Sequence, residues 1–139
     1  MPENKMSRDD LAERISVAPF HKWLGVELTG YDEDGIEVTV PWREEFVVNV
    51  QVGYTHGGIL ATLIDMAADY AIAAKLGRPV PTIDMRVDYH RPAMQGKLIC
   101  KAQALKLGSQ FSTGEAQVYD ENGKLLASGR GVYLTSPPK

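Results

Sequence analysis

Sulfur and imidazole are scarce in this chain: its 139 residues include one cysteine, Cys100, and three histidines, His21, His56 and His90. A single cysteine excludes an internal disulfide and with it a disulfide-built secreted scaffold, so a reducing compartment is expected. The histidines show no metal-ligand spacing, so neither a catalytic metal nor any other resident cofactor is expected. A basic excess is also lacking, with 15 Lys and Arg against 18 Asp and Glu and a formal charge of -3. That balance argues against nucleic acid as a partner. Long apolar runs are absent too. The N-terminus "MPENKMSRDD" has no signal core, and the longest apolar stretch is broken by Asp65 and Asp69. No membrane span or signal peptide is therefore expected, and the location expected is the cytoplasm. Two nucleophile and phosphate signatures are missing as well: no Gly-x-Ser-x-Gly occurs, and "GGILATL" lacks the Gly-Lys-Ser/Thr of a P-loop. Cys100 lies in an alternating stretch and reads as a core residue.

What is present is one globular unit's worth of patterned chain. No internal repeat, low-complexity tract or linker divides it, so 1–139 is read as a single domain, with an N-terminal helical segment at 1–19 and a frayed tail at 136–139. "SRDDLAERIS" carries a capping signal, Ser7 with Asp10, and places Leu11 and Ile15 on one helical face before Pro19. Phe20, Trp23 and Leu24 are expected to anchor this segment to the core. "GVELTGY" and "GIEVTVPW" predict a hairpin across Asp32 to Gly35. From Gly57 to about Lys75 the spacing of Leu60, Ile64, Ala67 and Ala71 predicts the one long helix, which Gly77 and Pro79 stop. "TIDMRVDYHRP" then alternates Ile83, Met85, Val87 and Tyr89 against Asp84, Arg86, Asp88 and His90, a strand ended by Pro92. Three more strands are predicted at 97–107, 110–119 and 124–134, the last two joined by a tight turn at Asn122-Gly123. The fold class is α+β, an antiparallel sheet around a single long helix. One helix leaves sheet edge open, so the subunit is expected to dimerise through an edge strand, with 82–91 as the candidate.

The chemistry centres on "YTHGGILATLIDMAADYAIAAKLG", residues 54–77. His56, Gly57 and Gly58 have two readings. One is a plain helix start, in which glycines permit close packing and the histidine makes a polar contact. The other is a catalytic one, in which the free N–H groups of the helix N-terminus, Gly57 above all, face a carbonyl oxygen that becomes negative during reaction. Asp65 follows His56 by nine positions, about 13 Å along a helix axis, and cannot reach its own helix start. If both serve one reaction, Asp65 meets the His-Gly-Gly segment of a second subunit. Asp69 shares the Asp65 face at i,i+4, and is read either as a second carboxylate for acid–base work or as part of a polar strip.

"GYTHGGILATLIDMA" followed by "TIDMRVDYHRPA" resembles the hotdog-fold acyl-CoA thioesterases of the phenylacetate-degradation (PaaI-like) family, over about residues 20–135. The resemblance implies a hotdog fold, a dimer with sites at the subunit boundary, and hydrolysis of acyl-CoA or aryl-CoA thioesters. It implies that Asp65 is the general base or nucleophile, that the Gly57 N–H polarises the thioester carbonyl, and that His56 orients that loop or the carbonyl. Gly58 belongs to the same motif, Thr82 matches a water-positioning hydroxyl of some relatives, and Asp69 matches a position that is often small or hydroxylic. One departure stands out: Val50 occupies the position six before the motif histidine, where the family commonly has Asn or Gln. Asn49 and Gln51 flank it, and a bulge would bring one of these amides into the site. Arg91 and Lys106 are read either as contacts for coenzyme A phosphates or as ordinary solvated surface charge. The competing expectations are a non-catalytic acyl-CoA-binding hotdog module and an enoyl-CoA hydratase. A dimer of dimers is a further assembly option.

Overall fold

The structure, a computed structural model, describes residues 1–136. All but the first residue of the expected frayed tail lie outside the described residues. Helix α1 spans Arg8–Val17, and its start is capped as the sequence predicts, the Ser7 hydroxyl accepting from Asp10 N–H at 3.1 Å. Leu11 and Ile15 are its buried face. The chain then turns at Pro19 into a second short helix, α2 (Pro19–Leu24), which the sequence reading treats only as an anchoring segment. Of the three expected anchors, Leu24 is fully buried, but Phe20 and Trp23 stay 49% and 39% exposed. Their rings stack on each other, and the Arg43 guanidinium lies 4.4 Å from the centre of the Trp23 ring. Helical spacing thus brings Leu24 to the core and leaves the aromatic pair on the surface.

Strands β1 (Glu27–Tyr31) and β2 (Ile36–Val40) form the expected hairpin. After a 3-10 turn at Glu44–Phe46 come two short strands, β3 (Val47–Asn49) and β4 (Tyr54–Thr55), which pair as a small separate ribbon. At two and three residues they are too short to show a sequence period. Helix α3 runs Gly57–Leu76 and ends at Gly77, whose φ of 88° is left-handed. The sheet is completed by β5 (Thr82–Tyr89), β6 (Leu98–Leu107), β7 (Phe111–Tyr119) and β8 (Leu125–Leu134). The β7–β8 turn closes at Gly123, and the Asp120 carboxylate accepts from the N–H groups of Asn122 and Lys124.

Six strands form one antiparallel sheet in the order β1-β2-β6-β7-β8-β5. α3 lies against its inner face, the sheet curls round it, and this is the hotdog fold. The predicted stripe of Leu60, Ile64, Ala67 and Ala71 is buried, and so are Leu63, Met66, Ala68 and Ile72, so α3 is covered on more than one side. Each large aliphatic side chain hidden there stabilises the fold by about 1.5–3 kcal/mol relative to exposure. Among the described residues no helix is long and apolar enough to cross a membrane.

β5 is a terminal strand that pairs only with β8. Its apolar side is poorly covered, with Ile83 51% and Tyr89 54% exposed. The β5–β8 register also slips between Thr82 and Asp84: Thr82 faces Tyr133, while Asp84 faces Val132. Ile83 is therefore the extra residue of a bulge. Simple alternation sets Thr82 with the outward residues Asp84, Arg86 and Asp88. The bulge moves it to the helix-facing side.

Candidate active site

Two polar clusters form on α3, one at its start and one midway, and both touch β5. At the start, the imidazole Nδ1 of His56 accepts from Gly58 N–H at 2.8 Å, so His56 is the N-cap. With Nδ1 as acceptor, a neutral ring carries its hydrogen on Nε2. Ile59 N–H bonds His56 O at 2.9 Å. Gly57 N–H has no acceptor among the described residues, as befits the first amide of a helix. Both glycines are also small for local reasons. A Cβ on Gly58 would lie 3.0 Å from His56 Nδ1, and one on Gly57 would lie 3.2–3.3 Å from the Tyr89 ring. Tyr89 packs there because its hydroxyl donates to Gly57 O at 2.8 Å.

In the middle of α3 the Asp65 carboxylate receives two hydroxyls on one oxygen. Thr82 Oγ1 donates to Oδ1 at 2.8 Å, and Tyr133 Oη lies 3.1 Å from Oδ1 and equally 3.1 Å from Asp65 O. Asp65 Oδ2 has no donor among the described residues. Asp69, one turn on, does something different: its Oδ1 accepts from Val80 N–H at 3.1 Å and ties the α3–β5 connection to the helix. Burial pushes its carboxyl up to about 7, with the Val80 N–H pulling the other way and the nearby Asp65 charge adding to the rise. Burial likewise raises the Tyr133 phenol far above its ordinary range, with Asp65 the next cause. The Cys100 thiol is pushed up by burial alone, which fits its place in the core.

The other predicted residues stand apart from these clusters. The register of β3 and β4 does shift between Val47 and Asn49. The shift does not free an amide oxygen, because Asn49 Oδ1 accepts from Gln51 N–H and Val52 N–H at 3.1 Å each and is committed to the turn. Gln51 is exposed, and Val50 is 91% exposed. Arg91, two residues past Tyr89, donates to Leu125 O at 2.9 Å, and Lys106 is exposed on β6. Among the described residues no group of three or more His, Cys, Asp or Glu has the disposition to hold a metal.

Two participants escape the sequence reading, Tyr89 and Tyr133. Tyr89 reads as one more apolar position of an alternating strand. Tyr133 left a signal in "GRGVY", where Gly129, Gly131 and Tyr133 share one strand face at a spacing of two.

A family model described as the thioesterase superfamily matches residues 52–127, more than half of the chain and the whole stretch from the turn before His56 to β8. The chain belongs to the thioesterase superfamily. A Halobacterium salinarum protein named as an esterase is 34% identical over 122 residues, covering 80% of each chain. A medium/long-chain acyl-CoA thioesterase of Escherichia coli is 25% identical over 132 residues, covering 84% of each. Among solved structures, a thioesterase-superfamily protein superposes with a TM-score of 0.88 at 47% identity, covering 89% of this chain and 94% of that one.

Proposed function

We propose that this superfamily member is a PaaI-like thioesterase that hydrolyses acyl-CoA or aryl-CoA at sites shared between two copies. The observation that carries this reading is the position of the two clusters. Gly57 meets Tyr89 at one end of the edge strand β5, and Asp65 meets Thr82 at the other. Antiparallel edge pairing of two β5 strands about a two-fold axis at Arg86, with Ile83 taken up by the bulge, sets Thr82 of one copy opposite Tyr89 of the other. Asp65 then faces the partner's Gly57 N–H. The half-covered Ile83 and Tyr89 gain a neighbour in the same step, and an exposed strand edge is closed.

The chemistry follows from the groups so assembled. Asp65 Oδ2 takes a proton from water as the water oxygen attacks the thioester carbonyl carbon, or attacks that carbon itself to form an anhydride that water then cleaves, freeing the acid and Asp65. Negative charge builds on the carbonyl oxygen, where the Gly57 N–H and the helix N-terminus stabilise it. The carbon–sulfur bond breaks and its electron pair leaves on sulfur. A thiol of ordinary pKa near 8.5 is a tolerable leaving group at neutral pH, so few groups suffice and no resident cofactor is needed. His56 holds the loop by capping it, and Thr82 sits where it can share the attacking water. The free N–H groups of Arg91 suit coenzyme A phosphates. The lone buried cysteine fits a cytoplasmic setting.

Val50, exposed at the position where the family resemblance implies an amide, together with the commitment of Asn49 to its turn, favours one second reading: a hotdog dimer that binds acyl-CoA without cleaving it. Thiol release from a panel of short-chain, medium-chain and aryl-CoA thioesters decides between them. Turnover by the wild type that collapses in Asp65→Asn supports hydrolysis. Calorimetric binding with no thiol release selects the binding module.

A further inference from the structure

We infer that Tyr133 is a positioning residue for Asp65: its buried hydroxyl, with that of Thr82, holds one carboxylate oxygen and turns the other toward the substrate. The inference rests on the hydrolytic reading above and deepens it. Tyr133 is fully buried, and the described residues give its hydroxyl only two neighbours, Oδ1 and the backbone O of Asp65, both at 3.1 Å. A buried phenol that simply needs a partner is satisfied by any carbonyl. Here the phenol also reaches a side chain whose second donor, Thr82, lands on the same oxygen. The Thr82 hydroxyl and the Tyr133 hydrogen, shared between Asp65 O and Oδ1, converge on Oδ1 and favour one rotational setting of the carboxylate, with Oδ2 free to accept a proton or attack.

The strand beneath is shaped for this contact. Gly129 and Gly131 lie on the helix-facing side of β8, opposite Val87 and Met85. A Cβ on Gly131 would lie 2.5–2.7 Å from the Tyr133 hydroxyl and ring, and one on Gly129 would lie 2.5 Å from Arg86 O and 2.8 Å from Ile64 Cγ2. Glycine within a strand costs stability, since it loses entropy and packs no side chain. At these two positions it clears the floor so that α3 can approach and the phenol ring can lean back over Gly131 to Asp65. The β5 bulge supplies the opposite jaw by turning Thr82 inward. Two unrelated departures from regular strand structure therefore converge on Oδ1 of a single carboxylate.

A positioning role differs from a packing role in what it changes. A donor that orients the carboxylate acts only through Asp65, so its loss is felt only while Asp65 is present, whereas a packing loss is felt in either background. Hydrogen bonds to charged groups contribute about 1.5–3 kcal/mol, or roughly 10- to 100-fold in rate if the bond matters in the transition state.

The test is Tyr133→Phe, which keeps the ring and its volume, assayed by thiol release beside the wild type, Asp65→Asn and the double variant, with thermal unfolding measured in parallel. The expected result is a kcat about 10-fold lower with KM within twofold of wild type. In the Asp65→Asn background the same substitution should cost nothing further. An active wild type with Tyr133→Phe unchanged in kcat overturns the inference while leaving the hydrolytic reading intact. A lower kcat with reduced stability and a further loss in the Asp65→Asn background also overturns it, because that is what a packing role gives. A wild type inert to every thioester overturns the hydrolytic reading itself.

Discussion

Two turns of one helix carry the same residue type on the same face and use it in different ways. Asp65 receives two side-chain hydroxyls from two strands and keeps one oxygen unengaged. Asp69 receives a backbone amide from the loop after its own helix and is raised by burial to about 7. In the proposed function the first arrangement orients a carboxylate toward something outside the chain. The second fastens a connection: it draws Val80 to α3 just ahead of the bulge that turns Thr82 inward. Hydroxyl donors from neighbouring strands, not the acid itself, mark which of the two is placed to react.

The contrast is sharpest under paired substitution. Asp65→Asn is expected to lower kcat by about 1,000-fold or more, the scale at which loss of an activated nucleophile or base is felt. Asp69→Asn keeps an oxygen for Val80 N–H and is expected to hold kcat within about threefold at pH 8, a range that leaves catalysis essentially intact. Thiol release under saturating substrate checks both, and an equal loss in the two variants breaks the distinction. Thr82→Val removes one of the two donors on Oδ1 and is expected to lower kcat about 10-fold. Steady-state kinetics on the same thioester measures it.

The smallest effect falls on stability. The Asp69 carboxyl rises from an ordinary 3.8 to about 7 on folding, so between those values the folded chain binds a proton that the unfolded chain has released. Its contribution is fully present below about pH 4 and is lost as pH rises through 7. Asp69→Asn should therefore melt about 5 °C higher than wild type at pH 8, with the gap closing toward pH 4. Calorimetric melts at the two pH values check the sign, and a variant less stable at pH 8 contradicts it.

Much of the fold was legible because its signals were local. Ser7 with Asp10 marks α1, Gly77 ends α3, and the alternation of Ile83 to Tyr89 identifies β5 as a strand. Helix α2 was not, since six residues with one proline make a weak pattern, and the short β3–β4 ribbon had no period to read. Within the site, His56, Gly57 and Asp65 form a spaced motif along one stretch of chain. Tyr133 is far from it in sequence and joins Asp65 only because β8 lies beside β5 under α3. Thr82 was visible as a residue type but carried the wrong parity, and only a bulge, which alternation does not announce, corrects it. The commitment of Asn49 to its own turn was equally hidden, because the same amide could serve a ligand or a backbone.

The central claim is that Asp65 of one copy works on the Gly57 end of another. Co-expression of Asp65→Asn with His56→Ala on separable tags, followed by purification of the mixed dimer, tests it most directly. Each variant alone is expected to be at least about 100-fold impaired. The mixed dimer retains one site with both residues intact if the site is shared, and should recover about half of the wild-type rate. A mixed dimer as inactive as its parents places Asp65 and His56 of each site within one subunit and contradicts the account.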